Sequence, residues 1–336
     1  MMDKMTNIGV IGAGAWGTAF AIHLARKGFR VLLWVYEADL YDTLNKNRIN
    51  KSYLPGFVLP QEIDFTDNLN ALVGAANDIV IATPSFALRK TIETAAHVFA
   101  GKNILILTKG LEINTLLRMS QVTEEVLDNS NRHIAVLSGP SFAEEVAREA
   151  FTSVVVASAN KELSMNFQRL IHSDNFRVYT CEDLVGVELG GAMKNVIAIG
   201  AGIIGGLQLG TNTQAAFITR AIAEIKRLGK ALGAKETTFM GLSGIGDLIL
   251  TSYGNLSRNR WFGTELAKGV KPATIIKEQK KVVEGYYTIN AAYTFSKKFD
   301  IEMPITEELY KIVYEEKNLL ASLNDIKKRA LKEEDD

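Results

Sequence analysis

The chain has 336 residues, 47% hydrophobic and 23% charged, with 38 basic and 38 acidic side chains and a formal net charge of zero. That composition excludes disordered and fibrous classes, leaves room for two domains with a core each, and provides no global field for nucleic acid or anionic lipid, so any bound anion must be gripped locally. The single cysteine, Cys181, excludes an intrachain disulfide or a cysteine zinc cluster, and His23, His97, His133 and His172 lack metal-ligand spacing, so no metal is expected.

Each of the four histidines reads as a surface or strand-edge residue. The stretch from Met1 to Val10 carries no secretory apolar core, and the longest apolar run, Val196 to Leu207, is too short and glycine-rich to span a bilayer. No stable membrane insertion is expected, and the cytoplasm is the default location.

In chain order, the first signal is Asn7-Ile-Gly-Val-Ile11, a short apolar strand that runs into Gly12-Ala-Gly-Ala-Trp-Gly17 and a helical pattern ending near Lys27. Gly28 ends that helix and Val31 to Trp34 form a second strand. A glycine triplet in this strand, turn, helix setting is a dinucleotide signature. The first glycine permits the turn, the second admits a pyrophosphate, and the third lets helix pack on strand, while free helix amides hold the phosphates. Tyr36 could stack on adenine. Glu37 sits where an acid accepts hydrogen bonds from a ribose, or serves as a helix-start acid favoured by the macrodipole.

Alternation continues through Asp78 to Ala82, Asn103 to Leu107, Ile134 to Leu137, Ser153 to Ala157 and Phe176 to Thr180, all read as strands of an open parallel sheet. Pro84, Lys109 and the turn from Gly139 to Ala143 fall at the carboxyl edge, where such sheets bind ligands. Lys109 is either solvated or an anion contact. Ser141-Phe-Ala-Glu144 fits a capping box, which predicts a helix start there.

From about Asp183 the pattern turns helical, over Val185 to Leu207, Thr213 to Leu232, Glu284 to Phe299 and Pro304 to a charged tail. The expected fold is an α/β N-terminal doubly wound sheet, residues 1–183, followed by an all-α C-terminal domain, residues 184–336. Within the first helix, Gly190 and Gly191 lie one turn before Lys194 on its own face, so the lysine leans over bare backbone. Such glycines cost a helix roughly 1 kcal/mol each and call for the close approach of another chain segment or a ligand. The lysine either snorkels to water or serves chemistry. Gly241-Leu-Ser-Gly-Ile-Gly-Asp247 presents a carboxylate behind three glycines. Ser257-Arg-Asn-Arg260 is either a solvated, capped helix start or a clamp for an anionic group.

Taken together, Gly12 to Gly17, Tyr53-Leu-Pro-Gly56, Lys109-Gly-Leu-Glu112, Leu137-Ser-Gly-Pro-Ser-Phe-Ala143, Gly186-Val-Glu-Leu-Gly-Gly-Ala-Met-Lys-Asn195, Gly244-Ile-Gly-Asp247 and Ser257-Arg-Asn259 resemble the bacterial NAD(P)-dependent glycerol-3-phosphate dehydrogenases, in the family's order and over essentially the whole chain. The resemblance implies a Rossmann domain, a helical domain and a cleft between them that interconverts dihydroxyacetone phosphate and sn-glycerol 3-phosphate, usually towards reduction, for glycerophospholipid synthesis. It implies Lys194 as acid/base with Asp247 beside it.

The same resemblance puts Lys109, Gly139, Ser141, Lys194, Asp247, Ser257, Arg258 and Asn259 at the phosphate substrate. It puts Trp16, Tyr53, Lys109, Ala143, Arg258, Val282 and Glu284 at NAD or NADP, beside Gly12, Gly14, Ala15 and Gly17 of the glycine turn and Tyr36 after the second strand, and suggests a homodimer. The chain departs from the family at Tyr36, where a basic residue is common, and at Gly205 and Thr211, where aspartates are. A β-hydroxyacid dehydrogenase and a non-catalytic dinucleotide sensor are the rival readings.

Overall fold

The computed structural model describes residues 7–128, 133–278, 282–331 and 333–334. Eight strands, β1 (Asn7–Ile11), β2 (Arg30–Trp34), β3 (Ile63–Thr66), β4 (Asp78–Ile81), β5 (Asn103–Ile106), β6 (Ile134–Ser138), β7 (Thr152–Ala157) and β8 (Phe176–Cys181), form one sheet in the order β3-β2-β1-β4-β5-β6-β7-β8. Alternate side chains feed two cores. Val10, Val80 and Leu105 join the helix Ala15–Arg26 on one face, and Ile11, Ile81 and Ile106 join helices on the other. Residues buried on both faces explain why these strands read as continuous apolar runs.

Two features of the sheet differ from expectation. The edge strand β3 went unread, because Ile63-Asp-Phe-Thr66 is too short to establish a period. The sheet is not wholly parallel: β7 runs antiparallel to β6, with Leu137 opposite Val156. Between them lies only the short helix Ala143–Ala147, so the chain folds back beside β6. The charged tail expected beyond Lys327 is described only through residue 331 and at 333–334. The segment from Pro304 forms two helices, Pro304–Tyr314 and Leu319–Lys327, rather than one.

A third core surrounds the helix Leu184–Gly206. Asp183 caps it, its Oδ1 accepting the Gly186 amide at 2.9 Å, while its Oδ2 accepts Lys235 N and Thr238 Oγ1. At 23 residues this helix is long and apolar enough to cross a bilayer, unlike the shorter run read from sequence, yet its apolar window is wholly buried within the fold. A helix apolar on every side is an interior helix here.

Two of its glycines, Gly190 and Gly202, are accounted for by backbone neighbours. A Cβ at Gly190 would sit 2.4 Å from the Ser243 carbonyl oxygen, and one at Gly202 would sit 2.0 Å from that of Arg260. The approach is made by other parts of the same chain, and the packing it allows offsets the loss in helix propensity.

Candidate active site

Lys194 projects from the middle of the buried helix, 8% exposed, and its Nζ donates to Asp247 Oδ1 at 2.5 Å. Asp247 is fully buried at the first turn of the helix Asp247–Tyr253, delivered by the turn Leu242–Gly246 that packs on Gly190. Its second oxygen accepts Lys109 Nζ at 2.7 Å, and the same ammonium donates to the Gly139 carbonyl at 3.1 Å. The Gly139 carbonyl also accepts the Ser141 hydroxyl at 2.9 Å. The end of β5, the loop after β6 and two helices of the C-terminal half therefore meet at one carboxylate.

Burial dominates the electrostatics. It drives Lys194 down to about 7, with help from Lys109; the Asp247 charge opposes the shift without cancelling it. For Asp247, burial alone would raise the pKa, but the two ammonium groups outweigh it and hold the carboxyl below its usual range. With Lys194 protonated, two cations face one anion. The cluster thus carries one positive charge in a dry place, suited to a negative ligand or a developing alkoxide.

Of the cluster at the next helix start, Ser257 Oγ accepts the Arg260 amide at 3.2 Å and caps the helix Arg258–Ala267. Arg258 is half-buried, its pKa lowered by that burial and partly restored by Tyr53. A guanidinium removed from water in this way favours an anion. Asn259 is committed differently: its Nδ2 donates to Asn195 Oδ1 at 2.8 Å and its Oδ1 accepts Gly285 N at 2.9 Å. One N–H of its amide remains for a ligand.

At the glycine turn, Gly12 has φ +111° and lies against the Ala82 carbonyl, and a Cβ at Gly17 would strike the Gly12 oxygen. A Cβ at Gly14 would meet nothing within 4 Å. Space is therefore open in front of a helix that starts at Ala15 without a side-chain cap or an acid in its first turn. These residues fit a pyrophosphate, which would lie on the free amides. Trp16 packs edge-on against Phe20 at 5.6 Å with its buried indole N–H unpartnered.

Elsewhere in the set, Ala143 opens the helix Ala143–Ala147, and Val282 is half-buried just before the helix Glu284–Lys298. Glu284 accepts Ser85 N at 3.0 Å and Ser85 Oγ at 2.5 Å, and burial raises its pKa. Tyr36 is 78% exposed and lies against the ring of Trp34.

Two expectations are corrected here. Ser141 does not cap a helix: its hydroxyl is turned back onto Gly139, and Phe142 occupies the cap position without a side-chain bond. His23 is not a surface residue. It is 9% exposed, its Nε2 lies 2.7 Å from the Ile171 carbonyl, and it packs on Phe176, since its helix face turns towards β8. Ser85 and Asn195 were missed as partners of the site. Ser85 follows a strand end already noted at the ligand edge, but nothing in the sequence pairs it with a glutamate 199 residues away.

Residues 7–164 match the family model described as NAD-dependent glycerol-3-phosphate dehydrogenase N-terminus, and residues 183–324 match its C-terminus counterpart. The glycerol-3-phosphate dehydrogenase [NAD(P)+] of Geobacter sulfurreducens is 45% identical over 97% of this chain and 98% of its own length. That of a Thermoanaerobacter species is 48% identical over 93% of each. Among solved structures, a glycerol-3-phosphate dehydrogenase from Coxiella burnetii superposes with a TM-score of 0.92 at 38% identity, covering 97% of this chain and all of its own. With both halves matched, relatives aligned nearly end to end and the glycine turn and buried lysine–aspartate pair in place, the chain belongs to the NAD(P)-dependent glycerol-3-phosphate dehydrogenases.

Proposed function

We propose that Lys194 is the proton carrier in the interconversion of dihydroxyacetone phosphate and sn-glycerol 3-phosphate. The observation that carries this reading is a buried ammonium bonded to a buried carboxylate at 2.5 Å, with a pKa brought to about 7. A group poised there gives and takes a proton near neutral pH. Bound reduced coenzyme supplies the hydride to C2.

Lys194 donates its proton to the C2 oxygen as charge builds on it, and Asp247 fixes the direction of the amine. Lys109, held by Asp247 and Gly139, adds positive potential at the same oxygen. Arg258 receives the substrate phosphate, with the Ser257 hydroxyl and the remaining Asn259 N–H as further donors. The glycine turn with Ala15 and Trp16 receives the dinucleotide, and Tyr53, Ala143, Val282 and Glu284 line its path. In oxidation the neutral amine of Lys194 takes the proton back.

By family likeness, the protein works in the cytoplasm as a homodimer and its product feeds glycerophospholipid synthesis. The test of the central role is Lys194→Ala, assayed by consumption of NADH or NADPH with dihydroxyacetone phosphate. Turnover should fall by roughly 10²- to 10⁴-fold with coenzyme binding retained. Near-normal turnover would remove Lys194 from proton transfer.

A further inference from the structure

Two helices of the N-terminal half, Ser85–Glu93 and Met119–Leu127, have no acid in their first turn, and each begins on a carboxylate sent across from the C-terminal half. Glu284 takes the Ser85 amide on one oxygen at 3.0 Å and the Ser85 hydroxyl on the other at 2.5 Å. Glu188 takes the Ser120 amide and hydroxyl in the same way, at 2.8 and 2.6 Å. One device thus joins the halves twice: a glutamate that satisfies the free donors of a helix start.

The two joints differ in charge. Glu188 also accepts the Arg118 guanidinium, so parting that joint would strand a buried ion pair. It lies early in the helix Leu184–Gly206, close behind Asp183, which ties the crossover between the halves to Gly186, Lys235 and Thr238. Among the described residues, Glu284 receives donors from Ser85 alone, and no cation offsets its burial, which raises its pKa. A carboxylate held dry without a counter-charge regains hydration when its joint parts, and that lowers the cost of opening there. The apolar cover is thin as well: Phe86 meets Tyr287 at 5.5 Å between ring centroids but stays 53% exposed.

The Ser85 joint bears on the site through Gly110. A Cβ there would sit 2.6 Å from Ser85 Cβ and 3.2 Å from Glu284 Oε2, so the backbone that follows Lys109 is pressed onto the joint. From that backbone Lys109 reaches Asp247. Three residues before Ser85, the Ala82 carbonyl lies against Gly12 of the glycine turn. We infer that Ser85 and Glu284 form a latch that opens between the two halves while Ser120 and Glu188 stay joined, and that bound coenzyme holds the latch shut. Ser85 is a positioning residue: closing it onto Glu284 seats Lys109 on Asp247. The inference rests on coenzyme binding at the glycine turn and needs no turnover.

The Ser85 and Ser120 amides have no acceptor inside their own helices, so the exchange of each with deuterium reports its own joint. The experiment is residue-resolved exchange on the full-length protein, free and saturated with NADH or NADPH. In the free protein the Ser85 amide should be protected at least about tenfold less than that of Ser120, and coenzyme should raise Ser85 by about tenfold while leaving Ser120 little changed. A matched pair of variants reads the consequence. Ser85→Ala should speed coenzyme dissociation several-fold in stopped-flow fluorescence with little change in Tm, on the order of one lost hydrogen bond. Ser120→Ala should lower Tm and leave dissociation as it was.

Equal protection of the two amides in the free protein overturns the inference, and so does coenzyme that raises both alike or neither. An unchanged dissociation rate in Ser85→Ala removes the positioning role. A parallel assay with dihydroxyacetone phosphate separates the readings: the expected exchange pattern without turnover counts against the reaction alone.

Discussion

Lys194 and Asp247 face each other at 2.5 Å with both side chains out of water, and Lys109 occupies the other carboxylate oxygen. Burial works against the charge on both the lysine and the aspartate, so the ionised pair persists because Asp247 supports Lys194 while Lys109 and Lys194 together support Asp247.

The direction of proton flow sets the pH profile. Reduction needs the protonated amine, so kcat/KM for dihydroxyacetone phosphate should fall as pH rises through about 7. Oxidation of glycerol 3-phosphate needs the neutral amine and should fall as pH drops through the same region. Steady-state assays in both directions would check this, and two limbs of the same sign would contradict it.

Asp247→Asn removes the charge that opposes the lowering of Lys194. The alkaline limb of reduction should move to lower pH, by about one pH unit or more, and breaking a buried pair should cost about 3–5 kcal/mol of stability. Thermal melting alongside the pH profile separates the two effects. A lower rate at an unmoved midpoint would mean that Asp247 orients the amine without tuning it.

The packing of the lysine helix gives a paired test. Gly190→Ala places a methyl group against the Ser243 backbone and should destabilise by about 1–3 kcal/mol, with lost turnover as the Asp247 turn is displaced. Gly205→Ala, whose nearest neighbour would be 3.8 Å away, should be neutral or stabilising by up to about 1 kcal/mol. Chemical denaturation of both variants reads the contrast, and equal effects would refute the backbone-approach account.

His23 contributes to acid sensitivity. Burial lowers it from 6.5 to about 4, with Lys27 and Arg26 adding to the effect against the Ile171 bond. Between those values the unfolded chain binds the proton and the native one does not. Stability is therefore whole above pH 6.5 and declines towards pH 4, by about 3 kcal/mol at most. His23→Gln should flatten that part of the dependence in urea titrations at pH 7 and pH 5; an unchanged slope would assign the acid loss to carboxylates.

What could be read without coordinates follows the range of the interactions. The Gly12 to Gly17 turn and the face shared by Gly190, Gly191 and Lys194 depend on neighbours within a turn or two, and their local geometry was readable from spacing. The meeting of Lys109 with Asp247 spans 138 residues and entered only through family likeness. The Ser85 to Glu284 bond had no signal at all, because neither residue belongs to a periodic pattern that names its partner. Ser141 and His23 failed for a related reason: a capping motif and a polar residue type each describe a tendency, and the carbonyls of Gly139 and Ile171 decided otherwise.

Asn259 has a consequence for anyone seeking to retarget the pocket. Its amide joins the residue beside Lys194 to the amide that follows Glu284, so three helices are in register through one side chain. Transplanting a new anion-binding segment at 257–260 would carry away that joint. A redesign for another substrate must therefore either keep the asparagine or rebuild Asn195 and the start of the helix Glu284–Lys298 along with it.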